Sequence, residues 1–179
     1  KKKKNGGGAK TYSTGNTTVV ESADSWTTAH STLGVTTGKW YFEGKVTYSN
    51  NQEAYLGACS QQTIQDRVNS THYLGQTTGS VGYYTGNGSY YKGAGAVSYG
   101  SAVSGGDIVG VALDLDNNFI YFSINGTWQN NGDPTSGSSG TYGISLPSGM
   151  TSGDNIFLSV SPNQSTIQCN FGNGFFGTT

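Results

Sequence analysis

The chain has 179 residues, of which Gly, Ser, Thr and Asn supply 88, and carries 22 aromatic side chains. That aromatic content excludes a disordered polar polymer, and the length suffices to bury a core. Nine Lys and Arg face ten Asp and Glu, but four of the nine are Lys1, Lys2, Lys3 and Lys4, so the remainder sets five basic against ten acidic residues; such a body is a poor electrostatic match for nucleic acid or an anionic membrane.

Residues 1–10, KKKKNGGGAK, read as a flexible basic leader or an assembly-contact tail, with Lys1–Lys4 as the contact. A single domain is expected over 11–179. The first strand is expected at 17–21 and the second at 26–31, with 33–35 leading into the third, GKWYFEGKVTY at 38–48. There Trp40, Phe42, Val46 and Tyr48 fall on one face and Tyr41, Glu43, Lys45 and Thr47 on the other, the period of a strand with one buried face. On that pattern Trp40 is a core residue, while Trp26 is undecided.

A strand at 55–60 leads to one short helical turn at 61–67. Strands at 80–85 and 89–92 flank Gly86-Asn87-Gly88 and form a hairpin. Residues 106–126, GDIVGVALDLDNNFIYFSING, combine a strand apolar on both faces, an Asp-Asn-Asn turn, an alternating strand and an Asn-Gly turn. In the second strand Ile120, Phe122 and Ile124 point inward. A Gly/Ser/Asn loop spans 130–143, and strands at 156–160 and 166–171 close the chain. The class is all-β, a two-sheet antiparallel sandwich.

The chemistry of sites is sparse. Asp114-x-Asp116 places two carboxylates on one strand face, but no calcium loop follows; the pair reads as a strand end and turn. A glucanase-type strand needs a third acid where Phe119 stands, so a retaining pair cannot form there. His30 and His72 have no nucleophile elbow beside them. Cys59 and Cys169 sit in alternating segments and read as buried thiols, with a disulfide between them as the alternative that spacing does not decide, and no metal-ligand spacing exists. No cofactor is expected, and no segment is long and apolar enough to insert in a membrane.

Aromatics and amides are the binding candidates. Tyr83, Tyr84, Tyr90 and Tyr91 bracket one hairpin tip, and about half of them should face the core. Tyr84 and Tyr90 are the candidates there. Trp128, with Asn130 and Asn131, follows the Asn125-Gly126 turn and either contacts a ligand or caps the core.

The order of segments resembles the SPRY domain family. The resemblance is carried by GKWYFEGKV at 38–46, VGYYTGNGSYY at 81–91, SYGSAVSGGDIVGVALDLDNNFIYFSING at 98–126 and CNFGNGFF at 169–176. Residues 16–40 are similar to the opening of phage-associated members. The resemblance implies a concanavalin-A-like, jelly-roll type sandwich without catalytic activity, acting in recognition. It points to a virion protein of a tailed phage, in decoration or host attachment, whose partners are other virion subunits or a host-surface receptor, protein or glycan, in an oligomeric assembly. The alternatives are a cytoplasmic adaptor that binds a short peptide, and a carbohydrate-binding or carbohydrate-active sandwich.

Overall fold

Short, alternating, turn-punctuated segments favour hairpins over helices, and a computed structural model, which describes residues 10–67, 71–172, 174 and 176, has that form. In chain order the strands are β1 (Thr11–Ser13), β2 (Thr18–Glu21), β3 (Ala29–Val35), β4 (Lys39–Ser60), β5 (Ser80–Tyr84), β6 (Ser89–Lys92), β7 (Gly95–Ser98), β8 (Ile108–Asp114), β9 (Phe119–Ile124), β10 (Thr127–Trp128), β11 (Ile144–Ser145) and β12 (Ile156–Asn170). Among the described residues one α-helix, α1 (Gln61–Asp66), follows β4 where a helical turn is expected, and the Ser60 side chain accepts from the Thr63 N–H to cap it.

The strands form one antiparallel hydrogen-bonded network that curls over into two layers. Two long strands make the fold. The last strand pairs with β4 along its length, Ile156 opposite Ser60 and Asn170 opposite Glu43. Its other edge pairs first with β3 and then with β2. The first half of β4 also pairs with β8, and the second half with β5. One layer is therefore β1, β2, the end of β12, the start of β4, β8 and β9, with β10 and β11 beyond. The other is β3, the start of β12, the end of β4, β5, β6 and β7.

The pairs expected as separate strands, 38–48 with 55–60 and 156–160 with 166–171, are thus single strands that pass between layers. The corner lies where the β4–β12 register shifts between Asn163 and Ser165, and Gln164 takes φ of 44°. A corner needs polar side chains to bond the loosened backbone. Buried Ser165 donates to the Glu53 carbonyl at 3.1 Å, and the buried Asn163 amide donates to Glu53 at 3.1 Å and Asp24 at 3.2 Å.

Between the layers lie Phe42, Val46, Leu56, Val111, Ile120, Phe122 and Ile167, all at most 1 % exposed. A second cluster covers the outer face of the β5 layer: Tyr55, Cys59 and Leu74, with Trp26, Ile64, Tyr73, Tyr84 and Tyr91 against them. Leu74 reaches that face because Gly82 has no side chain; a Cβ there would lie 2.6 Å from the Leu74 Cβ.

Both cysteines are buried free thiols. Cys59 pairs with Phe157 and Cys169 with Gly44, positions twelve residues apart along β12, far beyond the roughly 7 Å between Cα atoms that a disulfide spans.

Candidate interaction surface

Trp40 departs from its expected place. It is 38 % exposed, whereas Phe42 on the same strand face is 1 % exposed. The reason is register: β12 pairs with β4 only as far as Glu43, so nothing from β12 lies beside Trp40. Its indole N–H is fixed on the Thr37 carbonyl at 2.8 Å.

Around Trp40 the sandwich opens along one side, between the β1–β2 edge of one layer and the β3 edge of the other. The opening is a groove of about 690 Å³ whose floor is Phe42, Val19, Ala29, Leu158, Val160 and Cys169. Seven large apolar side chains are exposed among the described residues, and five of them, Tyr12, Leu33, Trp40, Tyr41 and Phe171, line this groove. Phe171 stacks on Phe42 at 5.5 Å. Leu33 projects because β3 bulges: three residues, 31–33, stand where Leu158 alone separates Phe157 from Ser159 on β12.

No Asp, Glu, Lys or Arg lines the groove among the described residues. His30 is the titratable imidazole there, and burial, followed by the nearby His72 and Lys10 charges, pushes it down to about 4; it is neutral at pH 7. Its Nδ1 meets the Ser159 hydroxyl at 2.8 Å, and that hydroxyl donates to the Phe157 carbonyl at 2.9 Å. With the hydroxyl proton on the Phe157 carbonyl, Ser159 accepts from the imidazole in the tautomer that carries its proton on Nδ1.

Beyond the Trp40–Tyr41 ridge lies a smaller hollow of about 260 Å³, lined by Trp128, Pro134, Tyr121, Lys39 and Asp114 among others. Tyr41 meets Trp128 edge-on at 6.3 Å and donates to Glu43 at 2.9 Å. Burial, reinforced by Glu43, pushes the Tyr41 phenol up to about 12. The Asp-x-Asp acids are occupied as turn devices. Asp114 pairs with Lys39 and accepts from the Asn117 backbone N–H at 3.0 Å and its side-chain amide at 2.9 Å. Burial alone would raise its pKa, but Lys39 and Asn117 outweigh that and hold it below the usual carboxylate value. Asp116 accepts from Gly38 N–H at 2.7 Å, tying the turn before β4 to the turn after β8.

The residues expected to bind do not converge. Trp128 is half-buried beside the ridge, and Asn130 and Asn131 are exposed in the turn after it, with φ of 53° and 56°. Tyr84 belongs to the outer aromatic cluster, 4.9 Å from Tyr55, and donates to Glu53 at 3.1 Å. Tyr90 pairs with Tyr83 and faces the core, 5.8 Å from Tyr99. Tyr84 and Tyr90 therefore occupy opposite sheet faces. Lys1–Lys4 lie outside the described residues. Tyr12, Leu33, Tyr41 and Phe171 were not expected at a site. Only Tyr41 carried a signal, its outward phase in the 38–48 alternation.

The model of the SPRY domain matches residues 39–173. The chain belongs to the SPRY domain family. Solved SPRY structures agree in fold. A human SPRY domain superposes with a TM-score of 0.65 at 16 % identity, covering 89 % of this chain and 94 % of that one. The SPRY domain of human HERC1 gives 0.63 at 13 % identity, covering 88 % and 90 %. No curated protein matches the chain. SPRY domains are generally protein-interaction modules, typically without catalysis. In this SPRY domain the matched span begins at Lys39, so the β1–β3 wall of the groove comes from residues ahead of it. No helix among the described residues is long and apolar enough to cross a membrane.

Proposed function

We propose that this SPRY domain is a non-catalytic recognition module that holds a partner protein in the groove between its β1–β2 and β3 edges. The observation that carries this reading is the gathering, among the described residues, of five of the seven exposed large apolar side chains around one groove free of ionised side chains. Contiguous exposed apolar surface of that kind marks interaction sites, and aromatic anchors dominate binding energies. The hollow beside Trp128 extends the surface, and Asn130 and Asn131 follow in the exposed turn after Trp128; Tyr84 and Tyr90 pack against the two hydrophobic clusters, away from the groove.

The setting we propose is the virion of a tailed phage, in decoration or host attachment, with Lys1–Lys4 as an assembly contact. It is supported by the likeness of residues 16–40 to phage-associated members and by the low charge of the body. The test is mass spectrometry of what copurifies with the chain from its native source, in wild type and in Trp40→Ala. A partner lost from the variant supports the groove; one retained in equal amount places recognition elsewhere. Phage structural proteins at stoichiometric abundance support the virion. A cellular partner without particle proteins refutes it and moves the peptide-binding adaptor to first place.

A further inference from the structure

We infer that the groove takes an extended, uncharged peptide segment of another protein, which adds as a strand to the free edge of β3 and places an apolar side chain between the two layers. This rests on the reading of the groove as the recognition site and adds what fills it.

Three observations carry it. The first is charge. No ionised side chain lines the groove among the described residues, and Lys10, whose charge reaches His30, is turned onto the Thr28 carbonyl at 2.6 Å. A charged anchor entering here would lose its hydration with no counter-charge to replace it. The second is hydrogen bonding. Among the described residues β3 pairs with β12 along one edge only, so its other edge presents main-chain groups beside the groove, and an edge strand is a template for another strand. The third is position. The β3 bulge carries Leu33, 61 % exposed, into the lining of the groove that Trp40 also lines. A strand laid along β3 sends alternate side chains to one face, and that face looks onto the apolar floor.

The probe is a displayed library of short random peptides panned on the full chain, followed by binding measurements with synthetic copies of the enriched sequences. The expected peptides lack charge at the anchor, bind with little dependence on salt, protect β3 amides from hydrogen exchange, and lose affinity about tenfold or more against Leu33→Asp. Leu33 is exposed, so that variant keeps its fold, which the melting curve verifies. Enriched peptides that are acidic or basic, or that leave β3 exchange unchanged and protect another surface, overturn the inference while recognition itself stands. Self-association removed by Leu33→Asp, without peptide binding, makes the occupant a second copy and overturns it too. Glycan binding in the groove without peptide binding does the same. A monomer that binds nothing in any of these assays defeats both readings.

Discussion

His30 shows how one buried group sets a pH window. Its imidazole titrates near 4 in the folded chain and near 6.5 when unfolded. Between those values the unfolded chain holds the extra proton. Its contribution is fully present above about pH 6.5 and declines as pH falls toward 4. The loss amounts to about 2 kcal/mol once its residual exposure to solvent is allowed for. His30→Gln should therefore melt with a flatter dependence on pH across that window; parallel curves for the two proteins would show that the folded imidazole protonates as easily as the unfolded one. The thiols make a separate prediction. Burial, joined at Cys59 by the Asp154 charge, pushes both Cys59 and Cys169 up to about 12. In the native chain both thiols should react slowly with iodoacetamide, Cys59 more slowly than Cys169 in the groove floor, under conditions that label the unfolded chain completely, which peptide mass mapping would reveal. That the thiols are buried was legible in their alternating neighbours. Trp40 was not: alternation reports which face a side chain shares, and not how far the covering strand extends.

Hairpins were the readable elements, because turn chemistry is local. Asn125 and Gly126 join β9 to β10 with φ of 49° and 81°, the left-handed pair of a tight hairpin. A Cβ at Gly126 would meet nothing within 4 Å. Gly126→Ala therefore isolates the backbone term and should cost about 1 kcal/mol, measured by chemical denaturation; an unchanged midpoint would mean that the turn relaxes freely. The strands that pass between layers were unreadable for the opposite reason. Residues 161–165, SPNQS, look like a loop, but buried Ser161 is held by Thr28 at 2.8 Å and accepts from the Leu74 N–H at 3.2 Å. Polar side chains there solve a corner, and no period reports a corner. The β3 bulge was hidden likewise, since its extra residues show only against β12. β1 and β7 went unseen because Thr-Tyr-Ser and Gly-Ala-Val-Ser are too short to show a period.

For the assembled sandwich, the sheet class and the SPRY resemblance followed from segment order, whereas the groove did not. Its walls come from β1–β2, β3, β4 and the end of β12, segments far apart in sequence. Only the docking of the last strand brings them together. A chain ending at Asn155 loses the partner of β2, β3 and half of β4's pairing at once. It should show no cooperative unfolding transition and no near-ultraviolet signature of ordered aromatics. A cooperative melt from that fragment would mean that the remaining strands hold the layers alone.

The place of β12 also matters during translation. β4 is complete at Ser60, yet its lifelong neighbour ends at Asn170, about 110 residues later. At roughly 5–20 residues per second, the ribosome takes on the order of 5–20 s to supply it. Throughout that interval Phe42, Val46, Leu56 and Ala58 stand on a strand with one edge bare. The nascent chain thus passes through a stage in which a long, sticky ribbon waits for its mate. A binding protein that shields exposed strands, or a slower descent into aggregates at low temperature, would act on this stage and leave the finished domain untouched.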